Sequence, residues 1–270
     1  MTSDSAFARP LPVTGRPAIR TLTFADLRLA LRRGWDDFTA NPTHVIFLCA
    51  IYPVAGLLLG RMALEDPLLP LIYPLVAGFA LVGPVAALGV YELSRRREQG
   101  RESTWRDAFG VVRSRNIGGI LLLGAVLMAI MVVWLEVAQG LWNATVGAAT
   151  ARSVLDLPGI AFGSAQGWML LLLGNVAGFL FAAVVLALTV VSFPLLLDRD
   201  IPGGAGAQAS VAVQTSIAAV RANPVTMAGW GLIVAALLVI GSIPFLVGLA
   251  VVLPVLGHAT WHLYRRAVES

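Results

Sequence analysis

Apolar residues in this chain gather into long runs separated by short polar stretches. The runs are about Thr43–Gly60, Leu68–Leu93, Ile117–Asn143, Gly167–Leu197, Val225–Ile243 and Phe245–Tyr264. A helix needs roughly 20 mostly apolar residues to cross hydrocarbon, so the pattern predicts six spanning helices. The second and fourth runs are longer than that and predict tilting or extension past the interface.

Between the runs the pattern becomes amphipathic. Thr23 followed by Asp26 opens a helix with Phe24, Leu27, Leu31, Trp35 and Phe38 on one face. Arg28, Arg32, Arg33, Asp36 and Asp37 take much of the other face, and Asn41–Pro42 ends it. A second short helix opens at Thr104 with Asp107, aligns Trp105, Ala108, Phe109 and Val112, and ends near Asn116. A third, weaker version runs from about Ala207 through Val213, Ile217 and Val220 to Asn223–Pro224. Each is predicted to lie in the inner interface and to feed a membrane hairpin.

The expected fold is therefore all-α. It is a polytopic bundle of six transmembrane helices in three hairpin units, each preceded by a cytoplasmic-side interfacial helix. The units cover about 23–98, 103–200 and 207–268, within one membrane domain over 23–268. Residues 1–22 carry three prolines and no apolar core, and read as a disordered cytoplasmic tail rather than a signal peptide.

Charge supplies the orientation. All 19 basic residues are arginine. With both termini in the cytosol, only Arg61 and Arg152 fall on the outer side, which is a decisive positive-inside bias. The chain is 58% hydrophobic and 13% charged, with mean hydropathy +0.82, a composition that no water-soluble domain could bury. Abundant Ala, Gly, Val and Leu without lysine points to a bacterial chain, hence to the cytoplasmic (inner) membrane. Arg32, Arg33, Arg95, Arg96, Arg97, Arg101, Arg265 and Arg266 are the candidates for fixing topology and meeting anionic headgroups. Trp35, Tyr91, Trp105, Trp261 and Tyr264 are candidate interfacial anchors.

An internal repeat is visible. "PVAALGVYELSRR" at 84–96 aligns with "PVLGHATWHLYRR" at 254–266, matching Pro84 with Pro254, Tyr91 with Trp261 and Leu93 with Leu263. Copies of a hairpin keep one orientation, so the units would be parallel repeats.

Candidate chemistry is sparse. His258 and His262 share one helical face, and His44 starts the first run on the same side. Three imidazoles at one depth could hold a metal or haem iron. Edge histidines beside Tyr and Trp account for them more simply, and no cofactor or metal is expected. Cys49 is the only cysteine, so there is no disulfide framework and no thiolate site. The deep parts of the runs carry almost no ionisable groups, against ion coupling. Pairs at Gly56/Gly60 and Gly174/Gly178 have the spacing that lets helices approach closely. No P-loop, nucleophile elbow or zinc motif occurs, so no enzyme is expected, and nothing points to nucleic acid.

"RGWDDFTANP" at 33–42, "VSFPLLLDRD" at 191–200 and "VVLPVLGHATWHLYRR" at 251–266 resemble the domain of unknown function 2189 family, over about 20–268. The resemblance implies a bacterial integral membrane protein without an assigned activity, although some relatives are labelled as a cytochrome c oxidase subunit. The expected function is a non-enzymatic membrane interaction or accessory protein that meets lipids or other membrane proteins, a respiratory complex among them. Its competitors are a small-molecule transporter gated at proline-broken helices and a haem- or metal-binding respiratory accessory.

Overall fold

The computed structural model describes residues 17–40, 71–147, 156–243 and 246–269. The first run, with His44, Cys49, Pro53 and Gly56/Gly60, lies outside the described residues, as do Arg61 and Arg152. The described chain is helical. In order it forms α1 (Phe24–Ala40), α2 (Ile72–Ala86), α3 (Leu88–Glu98), a 3-10 helix (Trp105–Arg113), α4 (Ile117–Thr145), α5 (Asp156–Phe162), α6 (Ala165–Thr189), α7 (Ser192–Asp198), α8 (Ala205–Ala222), α9 (Pro224–Ser242) and α10 (Leu249–Ala267).

Three helical stretches are long and apolar enough to cross a membrane: Ile117–Thr145, Ala165–Asp198 and Pro224–Ser242. In the most apolar part of the first and third, only 28% and 22% of residues are buried inside the protein. Large side chains such as Leu121, Met128, Phe179 and Leu232 point outward. A surface that apolar needs an apolar solvent.

The second and fourth runs each fold as two helices. α2 passes to α3 at Ala87, three residues after Pro84, although Ala87 N–H to Gly83 O and Tyr91 N–H to Ala87 O keep the ladder going. α6 passes to α7 at Val190–Val191 because Pro194 has no N–H to return to Val190 O. The Ser216 hydroxyl accepts from the freed Val191 N–H at 3.2 Å. That bond ties the break to α8.

α4 is the central post. Its buried row of Ile120, Leu123, Leu127, Met131, Trp134, Ala138 and Trp142 follows helical spacing and packs on α2, α6 and α8. Trp134 donates to Pro74 O at 2.8 Å. Its ring passes between Gly78 and Gly178, where added Cβ atoms would stand 3.0 and 3.3 Å from ring carbons. Gly178 therefore seats a tryptophan, while Gly174 faces open space. The expected close helix–helix approach at that pair is not what the pair does.

The three amphipathic segments are helical, but their buried faces differ from those the apolar pattern predicts. α1 buries Asp26, Leu27, Ala30, Gly34 and Phe38, while Phe24 and Trp35 stay 58% and 52% exposed. The buried face is turned about 70° from the apolar one. A Cβ on Gly34 would sit 2.6 Å from Ala259 N, so α1 and α10 touch backbone to backbone. The second segment is a 3-10 helix, in which residues three apart eclipse. It buries Ala108 and Val111 and turns Phe109 and Val112 outward, splitting the row expected for an α-helix. α8 buries Gln208, Ala209, Ala212, Thr215, Ser216 and Ala219. The small residues let α8 approach its neighbours closely, and Gln208 and Ser216 bond across to Gly119 and Val191.

The first and last described residues meet. Ile19 bridges Val268, Arg20 N–H donates to Ala267 O, and Glu269 N–H donates to Ala18 O. Residues 17–22 are thus laid against the end of α10.

Candidate functional site

The polar residues converge at one end of the bundle, called the rim below. Hydrogen bonds there connect α1, α3, the 3-10 helix, α7, α8 and α10. Two Thr–Asp pairs at helix starts open it, and the Thr104–Asp107 pair completes a capping box. Asp26 Oδ2 accepts from Thr23 N–H and Oγ1–H at 2.8 Å each, while its Oδ1 accepts from Arg266 Nε at 2.8 Å. Asp107 repeats the arrangement, with Oδ2 taking Thr104 N–H and Oγ1–H and Oδ1 taking Arg96. Both carboxyls are held below the usual range. For Asp26, burial pushes up, but the Thr23 bonds and Arg266 outweigh it. For Asp107, the Thr104 N–H bond is the largest cause and prevails over burial, helped by the Thr104 hydroxyl and Arg96.

Two asparagines at helix starts form a second matched pair. Asn116 Oδ1 accepts from Ile201 N–H, and its Nδ2 donates to Arg199 O and Leu196 O. Asn223 Oδ1 accepts from Leu22 N–H, and its Nδ2 donates to Arg20 O and Ala219 O. In each case one side-chain amide clamps the N–H of one residue and the carbonyl two residues earlier. Gln208 performs a related task, accepting from Gly119 N–H at 3.1 Å and donating to Gly203 O at 3.2 Å.

The histidines lie in a third cluster. Ser94 Oγ is 2.6 Å from His258 Nδ1 and donates to Asp37 Oδ2 at 2.8 Å. His262 Nε2 is 2.8 Å from the same Asp37 oxygen, and Arg97 Nε is 3.3 Å from Asp37 Oδ1. Ser94 has a single proton, which goes to Asp37, so His258 must donate from Nδ1 and keep Nε2 as a bare acceptor. That Nε2 is buried and has no partner among the described residues. Burial alone would raise the Asp37 carboxyl, but the His262 bond, the imidazoles and Ser94 bring it below its usual range. Among the described residues no group of three or more His, Cys, Asp or Glu side chains gathers to hold a metal. His258 and His262 are brought together with Asp37 and Ser94, and His44 is outside the described residues.

The predicted arginines divide into two sets. Arg95 and Arg96 bind the buried Glu92, and Arg97 binds Asp37. Arg265 spans Glu98 and Asp198 at 3.1 Å each, and Arg266 binds Asp26. Arg101 follows α3, its N–H donating to Arg96 O. Arg32 and Arg33 are exposed on α1, and neither makes an ion pair among the described residues. Arg28, Arg113 and Arg221 share that state.

The candidate anchors divide as well. Trp35 is exposed, and Trp105 is partly exposed with Arg106 5.4 Å above its ring. Tyr91, Trp261 and Tyr264 are buried instead. Trp261 Nε1 donates to Glu98 and Tyr264 Oη donates to Asp198. Their polar atoms point at protein carboxylates because neighbouring helices cover this end of α10.

Ser94, Asn116 and Asn223 are not among the candidates from sequence, and Arg96 and Arg266, candidates there for topology and headgroups, are here the partners of Asp107 and Asp26. A signal for the caps is present: "RTLTFAD" at 20–26 and "RESTWRD" at 101–107 share Arg, Thr, an aromatic and Asp at the same offsets.

Residues 72–198 match the model of a family described as predicted integral membrane protein, DUF2189. Neither the curated proteins nor the solved structures give a match.

Proposed function

With the segment 72–198 belonging to a family of predicted integral membrane proteins as the premise, we propose that this chain is a six-span accessory protein of the bacterial cytoplasmic membrane. It works by presenting a rigid rim to lipids and other membrane proteins rather than by catalysis. In this reading the six apolar runs form three hairpins, each following a rim helix, and both termini are cytosolic. The repeated Thr–Asp–Arg caps and the two asparagine clamps support a repeated unit. Each rim helix grips the end of another hairpin: the 3-10 helix grips α3, α8 grips α7 and α1 grips α10.

One observation carries the functional reading. The rim carboxylates are spent within the same chain, Glu92 on arginines of its own helix and Asp26, Asp37 and Asp198 on partners from other helices, whereas exposed aromatics and arginines with no counter-ion among the described residues line its outside. Such an end is built to hold its shape and to be touched. The test is isolation from native membranes in mild detergent, comparing the wild type with W35A/F109A. Membrane-protein partners that co-purify with the wild type and are lost from the variant are expected. A lone monomer carrying nothing but bulk lipid would contradict the reading.

The helix breaks at Ala87 and Val190–Val191 favour a second reading, a transporter that bends there. Uptake by proteoliposomes that is lost on tightening these breaks with P84A and P194A would favour it over the first.

A further inference from the structure

Two of the arginines with no counter-ion among the described residues, Arg28 and Arg221, lie on elements that meet at one exposed apolar junction. α1, α8 and α9 are locked together where the Asn223 amide takes Leu22 N–H and the Thr226 hydroxyl donates to Leu22 O at 3.0 Å. The Phe24 ring lies over Gly229, where a Cβ would stand 2.7 Å from a ring carbon. On the outside of this lock Phe24 and Val225 are 58% and 69% exposed. Arg28 stands one turn beyond Phe24, and Arg221 lies in the last turn of α8. Both are exposed, and neither has a counter-ion among the described residues. The nearby acids are taken, Asp26 by Arg266 and Glu269 by Arg20. Below Val225 the outward row of α9 continues through Leu232, Val239 and Ile243, all strongly exposed.

We propose that this junction seats one anionic phospholipid. Arg28 and Arg221 take the phosphate, Phe24 and Val225 stand at the glycerol level, and the α9 row from Leu232 carries an acyl chain. The inference rests on the reading that α9 crosses the membrane with Pro224 at the cytosolic interface. Charge complementarity selects the occupant, because guanidinium forks pair with phosphate and an acyl chain needs the apolar row beneath. Arg33 provides the internal contrast. It is equally exposed on α1 but lies about 140° around the helix from Arg28, away from the junction.

The experiment uses the full chain in nanodiscs of mixed phosphatidylcholine and phosphatidylglycerol, with retained lipid counted by native mass spectrometry. The wild type should enrich phosphatidylglycerol. R28Q and R221Q should each lower that enrichment about fivefold, the effect of one cation near a charged surface. R33Q should leave it unchanged. Soluble glycerol phosphate should not displace the lipid. Equal loss in R33Q, or none in R28Q and R221Q, overturns the site while leaving the spanning reading intact. Displacement by glycerol phosphate would overturn the acyl part. A protein that alkaline carbonate strips from the discs would overturn both.

Discussion

The shaft and the rim solve the same problem in opposite ways. Along the shaft the outward face is Leu, Val, Met and Phe, and the inward face is apolar as well, a row of large side chains on α4 with Trp134 threaded between Gly78 and Gly178. Its hydroxyls are spent mostly on their own helix, as when Thr189 donates to Val185 O and Ser242 to Leu238 O. At the rim, carboxylates, amides and guanidinium groups bond from one helix to another. Hydrocarbon gives large apolar side chains no reason to hide, so the shaft packs by fit. Near water, charges carry specificity, and each can be satisfied by only one neighbour in the right place.

Substitutions that leave a rim charge buried and alone should break this contrast most strongly. E92A strands Arg95 and leaves Arg96 with Asp107 alone, and D37A strands His262 and takes the carboxylate from Arg97. Each should cost about 3–5 kcal/mol in reversible unfolding in mixed micelles, the usual cost of removing one partner of a buried pair. N116A and N223A remove clamps bonded at several points and should lose about 2–3 kcal/mol by the same assay. G34A pushes a methyl into the Ala259 backbone and should cost about 1–3 kcal/mol. It separates α1 from α10 without altering any charge.

D26A and D107A test the caps, with an expected loss of about 1–2 kcal/mol each. Their pH dependence has a fixed sign. Both carboxyls are lowered from the ordinary 3.8, so their contribution is complete above that value and fades as pH falls below it. A wild-type stability advantage over the variants that persisted at lower pH would contradict the ion-paired state. Smallest of all, F109A and V112A should change stability by less than about 0.5 kcal/mol, because both side chains point away from the protein.

Much of this contrast is legible in the sequence. The apolar runs predict five of the observed helical stretches to within a few residues, since length and hydropathy alone decide them. Thr104 and Asp107 predict a cap that forms as written. Which face turns inward is not legible from periodicity. Phe24, Leu31 and Trp35 form the obvious stripe on α1, but the backbone contact at Gly34 decides its rotation, and that contact depends on Ala259 more than two hundred residues away. The site is hidden for a similar reason. Arginine clusters are visible as clusters, but which guanidinium groups are consumed depends on Glu92 of α3, Asp198 of α7 and both Asp26 and Asp37 of α1. His258 and His262 look like candidate ligands in sequence, and in the fold they hydrogen-bond to Ser94 and Asp37.

The central claim is that the outward faces meet lipid while the rim meets water. A spin-label scan along α9 from Val225 to Ile243, in bilayers, tests it directly by comparing collisions with oxygen and with a water-soluble nickel complex. The account predicts high oxygen access recurring at Leu232, Val239 and Ile243, with nickel access confined to the Val225 end. Nickel access as strong at Leu232 and Val239 as at a label on Arg33 would contradict it.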